Sequence, residues 1–170
     1  SIEGSDEIRT RFDENLGRVG NLAKIYNSSG RTGSGRRKAH DTDVLRAAIV
    51  LLHAALEDLL RSLARRNLKM TRPSGVLKNV GFRTEDGGGR REKLSLDALL
   101  QYEDRSVSQL IDSAIDDFLD RASCNSSSEL HTWFSRMGLP DGSISADFGA
   151  LDDLMKRRHH IVHHADRNEP

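Results

Sequence analysis

The stretch Asp41-Thr-Asp-Val-Leu-Arg-Ala-Ala-Ile-Val-Leu-Leu-His-Ala-Ala-Leu-Glu-Asp-Leu-Leu-Arg-Ser-Leu-Ala-Arg-Arg66 is the strongest helical pattern in the chain. Apolar side chains cover most of its circumference, which is typical of a helix with neighbours on several sides. Asp41 or Thr42 can cap its first free N–H groups, and arginines in the last turn suit the negative end of the helix dipole. The sequence therefore predicts a long central helix, around which the other helices pack.

The polar residues of this helix stand out against its apolar surface. Arg46, His53 and Glu57 follow at steps of seven and four, so they share one face, and His53 and Glu57 are placed to hydrogen-bond directly. One interpretation is a satisfied polar pair at the edge of the core. The other is that Glu57 faces a site built by the C-terminal helix and orients a catalytic group there.

Shorter helical stripes flank the central helix on both sides. They lie at Asp6–Tyr26, at Ser95–Leu100, from Ser106 to about Leu119, from the capping-box sequence Ser126-Ser-Ser-Glu129 to Gly138, and from about Ala146 to beyond His163. No segment alternates with a period of two in the manner of a strand. The sequence predicts an all-α bundle of about five helices, forming a single domain over residues 1–170.

Two connections separate these helices. Residues 27–40 are rich in Gly, Ser and Arg, and predict a flexible loop that is either a solvated linker or a basic arm approaching a nucleic-acid backbone. Residues 67–94 contain Pro73 and Gly87-Gly-Gly89, and predict an irregular connection with at most one short helical turn. The acids that flank the stripe after Ser106 are expected on a solvated outer face rather than around a metal ion: Asp112, Asp116, Asp117 and Asp120.

Composition excludes several classes of protein. The chain has 26 basic and 26 acidic residues, which argues against wholesale coating of nucleic acid or membrane and leaves room only for a local basic patch. A single cysteine, Cys124, rules out an internal disulfide and a cysteine-based zinc site. We find no membrane-spanning run and no signal-peptide pattern, and therefore expect a cytoplasmic protein. We also expect no metal or other cofactor.

The C-terminal helix carries the densest cluster of chemically active side chains, within Leu151-Asp-Asp-Leu-Met-Lys-Arg-Arg-His-His-Ile-Val-His-His-Ala-Asp166. Three interpretations compete. Arg158 and His163 can act on one phosphodiester, with His as general acid or base and Arg stabilising the phosphoryl oxygens. The pairs His159/His163 and His160/His164 have the i, i+4 spacing of zinc ligands. The cations can also simply complement the negative end of the helix dipole.

The same residues carry a resemblance to a known family. Arg158-His-His-Ile-Val-His163 has the Arg-polar-x3-His form that is similar to the signature of the HEPN superfamily of helical domains. Together with Leu45-Arg-Ala-Ala-Ile-Val-Leu-Leu-His-Ala-Ala-Leu-Glu-Asp-Leu-Leu-Arg61, the segment Arg157–Asp166 resembles the RiboL-PSP-HEPN type. The likeness extends over nearly the whole chain.

The resemblance implies a metal-independent endoribonuclease, in which a ribose 2′-hydroxyl attacks the adjacent phosphate. Arg158 would polarise the phosphate, His163 would assist proton transfer, and His159 would help to orient them. HEPN domains typically pair so that two motifs form one composite site, which implies a homodimer. Further contacts to RNA are expected from Arg157, His164, Arg36 and Arg37, and the family likeness implies a toxin or defence effector with an antitoxin or regulatory partner.

Two features leave alternatives open. The doubled arginines and histidines allow a second register that ends on His164, although Ile161-Val162 favours His163. Ala165 stands where some HEPN toxins carry a tyrosine that their antitoxin modifies, so that mode of neutralisation is not expected here. The competing hypothesis is a non-catalytic HEPN-like module that binds nucleotide or RNA or serves in assembly.

Overall fold

The computed structural model describes residues 3–29, 39–71, 74–78, 80, 100, 102–122, 125–137 and 148–164, with the side chains of residues 39, 71, 74, 136, 137 and 164 left out. Within these ranges the chain is helical and contains no strand. The helices are α1 (Ser5–Ser29), α2 (Ala39–Thr71), α3 (Ser74–Leu77), α4 (Val107–Asp120), α5 (Ser127–Met137) and α6 (Phe148–His164). The predicted all-α bundle is confirmed. No helix in the described part of the chain is both long and apolar enough to cross a membrane.

Helix α2 is the central helix, as the sequence predicts. Its 33 residues span about 50 Å at a helical rise of 1.5 Å per residue. It packs against α1, α4, α5 and α6, and no other described helix contacts as many neighbours. This explains why apolar residues occupy most of its circumference, since each side of the helix meets a different partner.

Helices α1 and α2 run antiparallel, and Arg11 fixes their register. Its Nε donates to Asp58 Oδ2 (2.7 Å), one Nη donates to Ser62 Oγ (2.6 Å), and the other donates to the Glu3 carboxylate. The hydrogen bonds to Asp58 and then to Glu3 raise the pKa of the Arg11 guanidinium. Arg66 adds a bond from its Nη1 to the Glu3 carbonyl oxygen at 3.0 Å. The start of α1 is thereby held against the second half of α2.

The main core lies where α2 meets α3, α4, α5 and α6. It is made of buried apolar residues from all five helices: Leu60, Ala64, Leu68, Val76, Ile115, Leu119, Leu130, Trp133, Phe134 and Met155. Leu119 and Ala64 are fully inaccessible to solvent. Burying a side chain the size of leucine contributes about 1.5–3 kcal/mol, so this cluster is the main source of stability for the end of the bundle that carries α6.

Caps define the starts of α4 and α5. Ser106 accepts the Gln109 N–H while the Gln109 side chain accepts the Ser106 N–H, which completes a capping box. At α5, the Ser126 hydroxyl accepts the Glu129 N–H (3.2 Å), and the Glu129 carboxylate accepts the Asn125 N–H (2.8 Å). The helices predicted from Ser106 and from the Ser126 sequence therefore begin where the sequence places them.

Several helix ends differ from the prediction. Helix α1 continues through Ser29, and the hydroxyls of Ser28 and Ser29 donate to the Ile25 carbonyl in its last turn. Helix α2 begins at Ala39, so Asp41 and Thr42 lie in its first turn and are not the caps. The predicted loop 27–40 is therefore helical at both ends, and its residues 30–38 lie outside the described residues.

Helix α2 also ends later than predicted, at Thr71 instead of Arg66. The extra turn is stabilised by packing, since Leu68 is 1% exposed in the core and Lys69 Nζ lies 2.8 Å from Asp112 Oδ1 of α4. The segment predicted as irregular, 67–94, thus begins in α2 and includes the helical turn α3. Most of its remainder, residues 72–73, 79 and 81–94, lies outside the described residues. The predicted helix Ser95–Leu100 also lies outside them, except for Leu100 itself.

Two of the four acids on α4 also join this helix to α2, while their side chains stay 44% and 45% exposed. Asp116 Oδ1 lies 2.6 Å from Arg65 Nε, and Asp112 pairs with Lys69, so both carboxylates join α4 to α2. The sequence places them beside the apolar stripe, at the border of the packed face. The long basic side chains of the central helix reach them there.

Candidate functional site

Helix α6 is held in place mainly through its first half. Met155 is buried in the core, and Leu151 packs against it. Asp152 accepts two hydrogen bonds from the first residue of α5, one from the Ser127 N–H (2.7 Å) and one from the Ser127 hydroxyl (2.8 Å). These bonds, the backbone one first, lower the pKa of the Asp152 carboxyl. The following turns, which carry the arginines and histidines, extend from this anchored segment.

Arg158 lies on the apolar stripe of α6. It follows Leu151 and Met155 at steps of seven and three, so its side chain leaves the helix on the side that faces the core. It is partly buried, as are Leu154 and Ile161 beside it. Within the part of the chain that the structure describes, its guanidinium has no hydrogen bond or ion pair. A partly desolvated cation with no carboxylate partner has its donors available for an anion.

His159 and His163 lie one turn apart on a different side of α6. Both are exposed, and their rings are in contact, with centroids 4.5 Å apart and planes inclined by 43°. His160, also exposed, meets His159 edge-on at 6.5 Å. The contact between His159 and His163 restricts the rotation of both imidazoles while it leaves them open to solvent.

Arg158 and His163 lie on different sides of α6. Five residues separate them, which corresponds to about 140° around the helix and about 7.5 Å along it. Arg158 points along the packed stripe, and His163 points to solvent. A single helix can bring both to one phosphate only through the length of the arginine side chain.

Glu57 lies in a polar cluster on its own helix. Its carboxylate is 3.8 Å from His53 Nδ1 and 4.0 Å from Arg61 Nη2, and the His53 side chain is 3% exposed. The separation from His53 is longer than a hydrogen bond, so the two do not form the direct hydrogen bond expected from the sequence. Arg46 Nη1 donates to Asp43 Oδ1 at 2.6 Å and to Thr42 Oγ1 at 3.3 Å. Among the described residues Glu57 forms no hydrogen bond or ion pair with α6, and its orienting role stays a prediction.

The remaining residues expected to contact RNA are only partly described. Arg157 is exposed on α6. His164 is the last residue of α6, and its side chain is not among those described. Arg36 and Arg37 lie outside the described residues. In the described ranges no group of three or more His, Cys, Asp or Glu residues is arranged to hold a metal ion.

Sequence reasoning missed Asp152. The capping-box sequence at Ser126 already supplies acceptors for free N–H groups at the start of α5. The sequence pattern therefore did not predict that a carboxylate from another helix would also accept a hydrogen bond there. The nearest signal is the position of Asp152 in the first turns of an apolar helix, one residue after Leu151. Its effect on the site is to fix where α6 lies against α5.

Comparison with known proteins supports the family assignment. The family model described as RiboL-PSP-HEPN matches residues 13–170 of the chain. No curated protein matches the chain, and no solved structure matches it either. The match covers most of α1 and every later helix, including the Arg158–His163 segment. The chain belongs to the RiboL-PSP-HEPN family, a family of HEPN-type helical domains, a class that includes ribonucleases and also non-catalytic members.

Proposed function

We propose that this protein is a metal-independent endoribonuclease whose active site combines Arg158 and His163 from two copies of the chain. The observation that carries the proposal is the state of Arg158, which is partly buried on an apolar stripe and has no ion pair among the described residues. Partly burying the Arg158 guanidinium without a partner costs free energy, and a bound anion would offset that cost. A phosphodiester is the anion that the neighbouring histidines could act on.

The reaction needs two proton transfers. The ribose 2′-oxygen attacks phosphorus and forms the 2′-O–P bond, and its proton passes to a general base. The P–O5′ bond breaks, and the departing oxygen receives a proton from a general acid. The products are a 2′,3′-cyclic phosphate and a 5′-hydroxyl. An imidazole suits both transfers because its pKa is near neutrality, and the Arg158 guanidinium stabilises the charge on the non-bridging oxygens.

A homodimer meets the requirement for two histidines. One His163 from each copy would supply the base and the acid. Arg158 and His163 lie on different sides of one helix, and a two-fold axis would bring the Arg158 of one copy close to the His163 of the other. Val162 supports this arrangement, since it lies on the apolar stripe between the two residues and is 48% exposed. An apolar side chain in that position suits contact with a second copy.

The neighbouring residues fit supporting roles. The ring contact of 4.5 Å between His159 and His163 supports His159 as the residue that orients the catalytic imidazole. Arg157 and His164, with Arg36 and Arg37, would bind flanking phosphates along the strand. Such an enzyme would serve as a toxin or defence effector, restrained by an antitoxin or other regulatory protein in the cytoplasm.

The decisive experiment is cleavage of a mixed-sequence RNA in the presence of EDTA. Wild type is compared with Arg158→Ala and His163→Ala, and the product ends are analysed. Matched controls are Arg9→Ala, which removes an exposed arginine of α1, and His160→Ala, which removes an exposed histidine of α6 outside the proposed site. Circular dichroism and sedimentation establish that each variant is folded and associates as wild type does.

We expect wild type and both controls to cut RNA to cyclic-phosphate ends, and to leave DNA of the same sequence intact because it lacks the 2′-hydroxyl. Each site variant should lose about 100-fold or more of the activity, the scale typical of removing one acid–base or charge-stabilising group. Binding of RNA without cleavage by wild type would reject catalysis and favour a non-catalytic RNA-binding module.

A further inference from the structure

The side chains of His159 and His163 form a preorganised pair on the exposed side of α6. They are one helical turn apart, both are open to solvent, and their ring centroids are 4.5 Å apart. Exposed side chains on a helix ordinarily spread over many rotamers, so two imidazoles already in contact have lost part of the entropy that a shared ligand would remove.

The spacing matches what one transition-metal ion requires of two imidazoles. Zinc–nitrogen bonds of about 2.0–2.1 Å place the two ring centroids about 4.5 Å apart at a right angle and about 5.2 Å apart at the tetrahedral angle. The observed 4.5 Å falls within that range. One nitrogen of each ring must face the common ion, and because both residues lie on one face of a single helix, the side-chain torsions set this orientation without movement of the backbone.

We propose that His159 and His163 together bind one divalent ion of the zinc or copper class, and that the bound ion inhibits the enzyme. The inhibitory part rests on the proposed function, because His163 would use for the metal the lone pair that it needs for proton transfer. The described residues add no third His, Cys, Asp or Glu ligand, so water completes the coordination shell and binding is reversible. Imidazole ligands favour Cu²⁺ and Zn²⁺ over Mg²⁺, which prefers oxygen.

Calorimetric titration of the purified protein with ZnCl₂ tests the site without reference to activity. We expect one ion per chain, and a loss of about 100-fold in affinity for either His159→Ala or His163→Ala, because chelation makes the second bond intramolecular. The matched control is His160→Ala, which removes a neighbouring exposed histidine and should bind zinc as wild type does. A third variant, His159→Ala/His163→Ala, should bind no better than the single variants.

Equal binding by wild type and His163→Ala would overturn the site, as would a loss of affinity confined to His160→Ala, which would move the ion to the His160/His164 pair. Circular dichroism of each variant establishes that the loss is not due to unfolding. Because the readout is heat of binding, the result stands whether or not the protein cleaves RNA.

Inhibition is then measured by RNA cleavage over the same range of zinc concentration. We expect cleavage to fall with a midpoint equal to the calorimetric dissociation constant, to return on addition of EDTA, and to be unaffected by Mg²⁺ at the same concentration. His160→Ala should show the same midpoint. Full cleavage at saturating zinc would overturn the inhibition and keep the proposed function, whereas a wild type inactive in EDTA would refute the proposed function itself.

Discussion

At the scale of single residues, the charged side chain of Asp152 joins α6 to α5. Its two hydrogen bonds from Ser127 lower its pKa, so the folded state binds the proton less readily than the unfolded state does. The resulting stabilisation is present above the ordinary pKa of an aspartate, and is lost as the pH falls through the lowered pKa of the folded state. We therefore expect Asp152→Asn to be less stable than wild type at pH 7, with the difference shrinking toward pH 3.

Urea unfolding at several pH values checks this prediction. The matched control is Asp153→Asn, which makes the same change of charge on the next residue, an exposed one. A difference between wild type and Asp152→Asn that stays constant with pH, or is reproduced by Asp153→Asn, would contradict the assigned role of the carboxylate.

The sequence predicted the candidate site only in part at this scale. It identified Arg158, His159 and His163 as residues of one helix, because their spacing can be read directly from the chain. It could not predict that Arg158 is partly buried without an ion pair, since that depends on what packs around α6. The Asp152–Ser127 contact joins residues 25 positions apart, so it too is a property of the fold and not of a local pattern.

At the scale of elements, apolar packing between helices outweighs the ion pairs that join them. Leu119 of α4 is fully buried in the core, and Leu119→Ala should cost about 2–5 kcal/mol of unfolding free energy. Arg65→Ala breaks the pair with Asp116, but both side chains are more than 40% exposed, so the cost should stay below about 1 kcal/mol. Urea unfolding followed by circular dichroism compares the two, and a larger cost for Arg65→Ala would contradict the account.

The helices themselves were more predictable than their ends. Apolar periodicity identified α1, α2, α4, α5 and α6, because a 3.6-residue repeat is a local property of the sequence. The predicted end of α2 was about one and a half turns too early. Its last residues are helical because Leu68 and Lys69 contact other helices, which a local pattern does not reveal. Where a capping pattern was present, as at Ser106, the start of the helix was predicted correctly.

At the scale of the whole molecule, the second half of α6 is the surface proposed to join two copies. We expect Val162→Asp to shift the protein from dimer to monomer while its helical content stays as in wild type, because Val162 is 48% exposed in the single chain. Ile25→Asp is the matched control, since Ile25 is 49% exposed on α1 and should leave the dimer intact. Sedimentation velocity distinguishes the outcomes, and a dimer that resists Val162→Asp but dissociates with Ile25→Asp would place the interface on α1.

The central claim, a site shared between two copies, is tested most directly by mixing inactive chains. Arg158→Ala and His163→Ala are co-expressed with different tags, and the mixed dimer is isolated and assayed for RNA cleavage in EDTA. The mixed dimer retains one arginine and one histidine on opposite chains. Because a shared site then keeps only one of its two His163 imidazoles, we expect it to cut RNA more slowly than wild type but faster than either parent dimer. A companion dimer of wild type with the double variant Arg158→Ala/His163→Ala keeps both residues on one chain. If the companion cuts RNA while the mixed dimer stays inactive, the site lies within a single chain and the shared site is wrong.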